Sequence, residues 1–391
     1  MYNEIENWYE PADELGEFTL VAEMTRWESG FLCGLLKKFK PKKILEVGVA
    51  GGGTSVIIRK ALEMLGLSQT LHFSGDLSEE YYRKKGSGLA TGYQYDVACE
   101  KKAIERGNHT LYTGKYLPEY IDKVGGDIDF LILDTVHSAP GELLDLLIVL
   151  PYLSESAVIV FHDLATDHQN NFRQSVSINK CLFDCLDGQK YFNVCGNDAD
   201  ADMLYGYSDI GAAVISNRDD CIRDLFSMLG LPWAYMPSDR ELQIYQEKYA
   251  AAYDSKYIEL FELLLKVQKH TWKINSLEGR KNLISDFKKG TLEKKAYLYG
   301  NGKRGKNLYH YIKLIGGKID GWVVSDGHRV EEQQDGLPIY TLSELGELDE
   351  EKLIIVASTF ADVIENIEKS GIDYCLPNPF IIGQMLQYEN V

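Results

Sequence analysis

The sequence lacks the features typical of membrane-spanning, secreted and nucleic-acid-binding chains. No apolar run approaches the roughly 18 residues that a membrane span needs, and the richest one, Leu143 to Leu150, is interrupted by Asp145. The opening segment, MYNEIENWYE, has acidic side chains and no apolar core, so it does not predict a secretory signal. With 41 basic against 59 acidic residues, the net charge of −18 argues against a main role in binding nucleic-acid phosphates or an anionic membrane.

The cysteines show no pattern of pairing either. Seven of them stand at irregular spacing, no CxxC occurs, and the Cys181/Cys185 pair has no histidine nearby to complete a metal site. An odd set of this kind predicts reduced thiols in a cytoplasmic protein rather than disulfides or a structural zinc site. No internal repeat is visible, which excludes a solenoid.

What is present is a chain of 391 residues, long enough for two domains. In its first half, short apolar runs alternate with segments of helical periodicity. The predicted strands are 44–47, 71–75, 109–113, 128–133, 157–161, 191–195 and 211–216, and the predicted helices are 18–38, 54–65 and 142–153. Solid apolar strands that alternate with helices are typical of a mostly parallel sheet covered on both faces, here with an antiparallel edge.

Aromatic residues at helical spacing predict one long helix over 239–270. They form a single stripe: Tyr245, Tyr249, Tyr253, Tyr257, Phe261 and Leu264. Such a stripe packs against a domain or a second subunit, and the second alternative is the basis for an expected homodimer. We therefore divide the chain into a domain over 1–235, a helical connector over 236–294 and a second, smaller α/β domain over 295–391.

A glycine turn follows the first strand, in the segment Glu46-Val-Gly-Val-Ala-Gly-Gly-Gly53. Glycines allow backbone to approach a ligand closely, and this turn of an open parallel sheet is where ligands bind. The carboxylate of Glu46 suits a ligand with a cationic head, and Asp76, after the second strand, is placed to accept hydrogen bonds from ribose hydroxyls. The alternatives are a structural ion pair for Glu46 and a helix cap for Asp76.

Acidic and imidazole side chains also end strands four and five, in the segments ending at Asp134 and at His162-Asp163. Neighbouring strand ends lie about 4.8 Å apart, so these side chains can converge on one cation. His137 and His162 are candidates for a general base because imidazole titrates near neutral pH. A buried or capping role for His137 and a loop role for His162 are the alternatives.

These motifs together resemble the class I S-adenosylmethionine-dependent methyltransferases over residues 28–216. The resemblance implies that Glu46, Gly48 and Gly51 hold the methionine part of that cofactor and that Asp76 holds its ribose. The segments around Asp134 and His162 look like the metal-dependent O-methyltransferase subgroup, which includes sugar-modifying enzymes.

In that subgroup, ligands after strands four and five hold magnesium beside the acceptor hydroxyls. Carried over here, Asp134, His162 and Asp163 are the metal ligands, and His137, His162 and Asp134 are the catalytic residues. An acidic residue is usual where His162 stands, and a nitrogen ligand shifts the preference toward manganese, iron or zinc.

A second glycine turn, Gly300-Asn-Gly302-Lys-Arg-Gly305, lies between a predicted strand and a predicted helix, with Asp326 after the next strand. This pattern suits a phosphate at the helix N-terminus. The segment resembles the Rossmann-like modules attached to bacterial sugar-modifying proteins. That resemblance implies that Gly300, Gly302 and Gly305 contact a nucleotide or nucleotide-sugar; a structural module with an empty site is the alternative.

The sequence thus predicts an α/β enzyme with a Rossmann-like methyltransferase domain, a helical connector and a second Rossmann-like domain. We expect methyl transfer from S-adenosylmethionine, with magnesium or manganese, to a sugar or nucleotide-linked sugar in polysaccharide or natural-product biosynthesis. The acceptor would be a small molecule and not a nucleic acid, although catechols remain open. The rival hypotheses are a catalytically inactive nucleotide-sugar binding protein and an NAD-dependent enzyme working from the second turn.

Overall fold

A computed structural model describes residues 3–164, 178–193, 209–216, 218–275, 277–356, 361–377 and 381. The chain divides into two compact units, Met1–Lys269 and His270–Val391. The predicted boundaries at 235 and 294 differ from this division, because the first part of the predicted connector packs within the first unit. The alternation of strands and helices appears in both units, as the sequence predicts.

A seven-stranded sheet forms the centre of the first unit. Its strands are β1 Lys43–Val47, β2 Leu71–Asp76, β3 Asn108–Thr113, β4 Ile128–Leu133, β5 Leu153–Phe161, β6 Gly188–Tyr191 and β7 Gly211–Ile215. They lie in the order β3-β2-β1-β4-β5-β7-β6. Strands β1 to β5 are parallel, and β7 pairs antiparallel with β5 and with β6. The order reverses between β1 and β4, so a crevice opens at the carboxyl ends of these strands.

Helices cover both faces of this sheet. They are α1 Glu10–Leu15, α2 Arg26–Phe39, α3 Gly53–Met64, α4 Tyr93–Glu100, α5 Ile121–Val124, α6 Gly141–Val149, α7 Ile178–Cys185, α8 Arg218–Met228, α9 Asp239–Ala252 and α10 Ser255–Asn275. Apolar residues of α2 and α3 pack against Ile44 and Ile132 on one face, and those of α6 pack against Leu45 and Leu131 on the other. No described helix is both long and apolar enough to cross a membrane.

The helix predicted over 18–38 is interrupted. A 3-10 helix spans Gly16–Val21, and α2 begins only after Thr25, whose hydroxyl accepts a hydrogen bond from the backbone N–H of Glu28. The Glu28 carboxylate in turn accepts one from the Thr25 backbone N–H, which completes a capping box. The break places Ala22 and Glu23 in a loop, where they reach the carboxyl edge of the sheet.

The helix predicted over 239–270 is two helices, α9 and α10, which meet at Tyr253 and Asp254. The rings of Tyr249 and Phe261 pack edge to face at 5.4 Å, so the two helices fold back on each other. The hydroxyls of Tyr249 and Tyr253 donate to backbone carbonyls of α6 at 2.8 and 2.6 Å. The aromatic stripe thus packs within the first unit, and the homodimer stays a prediction.

The second unit contains a six-stranded sheet in the order β10-β11-β9-β8-β12-β13. Its strands are β8 Lys295–Tyr299, β9 Gly321–Val324, β10 Gln333–Gln334, β11 Leu337–Thr341, β12 Lys352–Val356 and β13 Tyr374–Cys375. Its helices include α11 Leu277–Glu293, α12 Lys303–Leu314, α13 Leu342–Gly346 and α14 Ala361–Ser370. All pairs except β10 with β11 are parallel, which agrees with a second Rossmann-like domain.

Candidate active site

A cavity of about 650 Å³ lies at the carboxyl ends of β1, β2, β4 and β5. Its volume is within the range of small-molecule sites. Five of the predicted site residues of the first unit line it directly, together with Gly48: Asp76, Asp134, His137, His162 and Asp163. The structure therefore brings into one space residues that are up to 115 positions apart in sequence, counted from Gly48 to Asp163.

Gly48 makes the turn after β1 possible. Its φ is +96°, and a Cβ there would lie 1.7 Å from the carbonyl oxygen of Asp134. Gly51, by contrast, does not line the cavity, and a Cβ there would lie 2.7 Å from a methyl group of Val21. Gly48 is thus required by the close approach of β1 and β4, whereas Gly51 is required by packing on the N-terminal segment.

Asp76 holds the glycine turn in place. Its Oδ2 accepts hydrogen bonds from the backbone N–H groups of Val49 and Ala50, both at 3.0 Å, and its Oδ1 accepts one from Ser78 at 2.8 Å. The bond to Ser78 closes a local turn, and the helix cap considered as the alternative is not formed, because the element that follows β2 is a 3-10 helix that begins only at Tyr82. Each carboxylate oxygen has two lone pairs, so capacity remains toward the cavity that Asp76 lines.

Glu46 is not brought to the cavity, which corrects the role expected for it. Side chains alternate along a strand, and Val47 lines the cavity while Glu46 is fully buried beneath α3. Its Oε2 accepts hydrogen bonds from the hydroxyls of Ser55 at 2.6 Å and Ser74 at 2.7 Å, and lies 3.1 Å from Nε2 of His72. This network joins β1, β2 and α3, so Glu46 is a structural residue beneath the turn.

Glu23, which the sequence interpretation missed, is the acid that lines the cavity beside the turn. Its carboxylate accepts hydrogen bonds from the hydroxyls of Tyr81 at 3.1 Å and Tyr82 at 2.8 Å and pairs with Arg83. The threonine-x-x-glutamate pattern at Thr25 was the available signal, because a capping box ends the preceding segment and leaves Glu23 in a loop.

Three side chains converge at the ends of β4 and β5. Nδ1 of His162 lies 2.9 Å from Oδ2 of Asp163 and 3.3 Å from Oδ1 of Asp134. The three potential ligand atoms all lie within 4.8 Å of one another. An octahedral ion with bonds of about 2.1 Å places neighbouring ligands about 3 Å apart, so the distances of 2.9 and 3.3 Å from His162 are compatible with a divalent-cation site.

The carboxylates control the protonation of both histidines. Burial alone would lower the pKa of His162, but Asp134, Asp163 and the Glu28 carboxylate hold it well above its ordinary value. Burial likewise opposes the charge on His137, whose Nδ1 lies 2.9 Å from Oδ2 of Asp163, and the carboxylates raise its pKa to about 9. The carboxylates therefore favour the positively charged form of both imidazoles at neutral pH, unless a cation offsets the negative charge around them.

Backbone strain is concentrated at this site. Eight non-glycine residues among the described ones have positive φ, and four of them line the cavity: Glu23, Ala50, His137 and Asp163. Left-handed backbone costs a non-glycine residue about 1 kcal/mol or more and persists at functional sites. The cavity is thus the part of the first unit where local geometry departs most from what the chain prefers.

The second glycine turn is not part of this cavity. Gly300 has a φ of +90°, and a Cβ at Gly300 or Gly302 would meet nothing within 4 Å. A Cβ at Gly305 would lie 1.9 Å from the carbonyl oxygen of Gly300, so Gly305 serves the packing of α12 on the turn. Both carboxylate oxygens of Asp326 accept hydrogen bonds from Ser343, at 3.0 Å from its backbone N–H and at 2.6 Å from its hydroxyl.

Two further polar features of the sequence, His168 after the fifth strand and the acidic segment 197–202, lie outside the described residues.

Comparison with known proteins finds a family match within the first unit. Residues 45–164 match the family model described as "Methyltransferase domain". No curated protein matches the chain. Among solved structures, the O-methyltransferase TomG of Streptomyces achromogenes, in complex with SAM, is 13% identical over 56% of this chain and 92% of its own, with a TM-score of 0.37. A Bacillus cereus O-methyltransferase in complex with SAH is 13% identical over 52% and 90%, with a TM-score of 0.35.

Proposed function

We propose that this chain is an S-adenosylmethionine-dependent methyltransferase that methylates a hydroxyl group of a sugar or nucleotide-linked sugar, and the match of residues 45–164 to a methyltransferase-domain model supports the reaction class. The observation that carries the proposal is a single cavity that joins Gly48 and Asp76 to the cluster of Asp134, His162 and Asp163. A cofactor held by Gly48 and Asp76 and an acceptor held at the cluster would therefore meet in one space.

The cavity fits the cofactor chemically. The glycine turn leaves its backbone beside the space, Asp76 retains acceptor capacity for ribose hydroxyls, and the acids of the lining suit the sulfonium and ammonium charges. Glu23 takes the role expected for Glu46, because it is the carboxylate at the cavity beside the glycine turn. The backbone of Glu23 and Ala50 is strained, as is common at functional sites, and this observation favours a binding site beside the glycine turn.

The donor set fits a divalent cation held by Asp134, His162 and Asp163. Two carboxylates and an imidazole are a ligand set for manganese, zinc or iron, and also for magnesium if water completes the shell. Nε2 of His162, the ring nitrogen that would face away from the cation, lies 3.6 Å from Oε2 of Glu28, and a carboxylate on that side is typical of an imidazole that binds a metal. A bound cation would lower the pKa of an acceptor hydroxyl and orient it.

His137 is placed to take the proton that the acceptor hydroxyl loses as its oxygen attacks the sulfonium methyl. It lines the cavity beside Asp163, and its backbone N–H donates to Glu142 at 2.6 Å, which orients the loop that carries it. Its pKa of about 9 keeps the imidazole protonated while the carboxylates are uncompensated. The base role therefore requires positive charge at the neighbouring cluster.

Vicinal hydroxyls are the acceptor that this arrangement fits best. Two adjacent hydroxyl oxygens chelate a hard cation, and the carboxylates and imidazoles of Asp134, His137, His162 and Asp163 meet at one end of the cavity. Sugars and catechols both present such a pair. We favour the sugar because its hydroxyl is the poorer acid and so has the greater need of a cation and a base at the site.

The experiment is methyl transfer from radiolabelled S-adenosylmethionine to a panel of UDP-sugars, methyl glycosides and catechol, with and without Mn²⁺ or Mg²⁺. We expect methylated sugar whose formation requires the cation and falls by at least about 100-fold in Asp163→Asn. Asp326→Asn in the second unit is the matched control and should retain full activity. A product from catechol alone would contradict the sugar, and failure of S-adenosylhomocysteine to bind in calorimetry would contradict the proposal as a whole.

A further inference from the structure

Glu28 is a buried carboxylate whose burial the capping of a helix does not explain. It stands in the first turn of α2, where its Oε2 accepts a hydrogen bond from the backbone N–H of Thr25 at 2.7 Å, and its side chain is 4% exposed. The same capping box recurs at Thr341 and Glu344 before α13, but there the glutamate side chain is 41% exposed and pairs with Arg329. A cap therefore does not require burial, and a buried carboxylate needs a compensating partner.

The imidazole of His162 is the partner that lies closest to hand. Oε2 of Glu28 lies 3.6 Å from Nε2 of His162, and both side chains are buried. No described residue is within hydrogen-bond distance of that nitrogen. Because the hydrogen bond from Thr25 favours the ionised carboxylate, a negative charge stands behind the ring on the side of Nε2.

The other ring nitrogen lies at the cation cluster. Nδ1 of His162 is 2.9 Å from Oδ2 of Asp163 and 3.3 Å from Oδ1 of Asp134. With Nδ1 as the ligand atom, the neutral ring carries its proton on Nε2, which lies toward Glu28. A carboxylate on that side fixes the tautomer and the orientation of the ring and makes the opposite nitrogen a stronger ligand.

Neighbouring elements hold the backbone of His162 but not its ring. The side chain of Asn179, in α7, donates to the carbonyl oxygen of His162 at 2.8 Å, and the N–H of His162 donates to the carbonyl oxygen of Leu133 at 3.3 Å. Neither bond sets the rotation of the imidazole. Among the described residues, the ring has the two cluster carboxylates at one nitrogen and Glu28 at the other, so its orientation without a cation depends on these three acids.

We propose that Glu28 is a positioning residue of the cation site, which holds the imidazole of His162 with Nδ1 toward the cation and supplies negative charge behind the ring. This inference rests on the cation site of the proposed function. It adds that α2, which lies outside the matched segment 45–164, takes part in the site. Because Glu28 acts through His162, the contributions of the two residues to cation affinity should not be independent.

The test measures the affinity for Mn²⁺ alone by calorimetry on the full chain. Glu28→Gln retains the capping box, since a glutamine side chain accepts the same hydrogen bond from Thr25, but it removes the charge. We expect the affinity of this variant for Mn²⁺ to fall by about 10- to 100-fold. Glu28→Asp retains the charge but withdraws it from the ring by a methylene group, so its affinity should be intermediate.

A double-mutant cycle with His162→Asp separates this role from a purely structural one. The aspartate keeps a ligand for the cation and offers no N–H to Glu28. In that background, Glu28→Gln and Glu28→Asp should each change the affinity for Mn²⁺ by less than about 3-fold. Glu344→Gln makes the same substitution in the exposed capping box, and this matched control should bind Mn²⁺ as the wild type does.

The outcomes separate the inference from the proposed function. Equal affinities of the wild type and Glu28→Gln for Mn²⁺ would overturn the inference and leave the proposed function intact. An equal loss with and without His162 would do the same, because Glu28 would then act without the imidazole. Absence of Mn²⁺ binding by the wild type would overturn both the cation site and the inference.

Discussion

The two glycine turns of this chain look alike in sequence and differ in what surrounds them. The turn after β1 borders a cavity in which Asp76, Asp134 and Asp163 meet at neighbouring strand ends. In the turn after β8, Gly300 and Gly302 face open space, and Asp326, the acid after the next strand, is hydrogen-bonded to Ser343. A glycine-rich turn predicts that backbone can approach a ligand; the side chains at the neighbouring strand ends decide whether a ligand has partners there.

The glycines of the two turns differ in whether the fold itself requires them. At Gly48 and Gly305 a Cβ would overlap a backbone carbonyl, so the fold alone requires glycine. At Gly300 the φ of +90° is sufficient reason, and at Gly302 neither φ nor contact requires it. The comparison therefore predicts that a glycine-to-alanine substitution changes stability by a different amount at each position.

The largest effect is expected from Gly48→Ala. A Cβ 1.7 Å from the Asp134 carbonyl, added to a φ of +96°, forces β1 and β4 apart, and we expect the first unit to lose about 4 kcal/mol or more of stability. Gly300→Ala meets no atom within 4 Å and should cost the second unit only about 1 to 2 kcal/mol from its backbone conformation. Scanning calorimetry measures both, and equal shifts of the two melting transitions would contradict the comparison.

A smaller effect is expected from Asp145→Asn, and it depends on pH. Burial raises the pKa of Asp145 from 3.8 to about 7 in the folded protein. The folded state thus binds this proton more tightly than the unfolded state, and wild-type stability falls as pH rises from about 4 to 7. Asn has no charge to bury, so the advantage of the variant should grow by about 3 kcal/mol between pH 5 and pH 8.

Urea unfolding at the two pH values measures this difference. Asp326→Asn is the control from the second unit, because hydrogen bonds from Ser343 lower the pKa of Asp326 and its charge is not buried. That variant should gain no stability at pH 8. A pH-independent difference between Asp145→Asn and the wild type would mean that Asp145 has the same pKa in the folded and the unfolded protein, so that burial does not raise it.

A smaller effect, on ligand binding, separates Asp76 beside the first glycine turn from Asp326 beside the second. Asp76→Ala removes the acceptor for the ribose and the anchor of Val49 and Ala50, and the affinity for S-adenosylhomocysteine should fall by about 30-fold, the equivalent of about 2 kcal/mol. Asp326→Ala should bind as the wild type does. Titration calorimetry provides the measurement, and equal binding by all three proteins would remove Asp76 from the site.

The fold and part of the site could be predicted because their signals are local. Apolar runs identified the strands, and the strand ends identified Asp76, Asp134, His162 and Asp163, since parallel strands bring their carboxyl ends to one edge. Glu46 was misplaced because its face depends on strand alternation relative to helices that sequence does not position. Glu23, Asp145 and Tyr245 were missed as site residues because each reaches the cavity through tertiary packing of a loop or helix.

The smallest effect is expected from Gly302→Ala. Its backbone is extended, with a φ of −79°, and a Cβ there meets nothing within 4 Å, so the stability of the second unit should change by less than about 0.5 kcal/mol. Gly305→Ala in the same turn should be clearly destabilising because its Cβ would overlap the Gly300 carbonyl. Chemical denaturation of the two variants tests this contrast. If Gly302→Ala is neutral for stability, glycine at this position is not a requirement of the fold, and the close approach of a ligand to the helix N-terminus is the remaining physical reason for it.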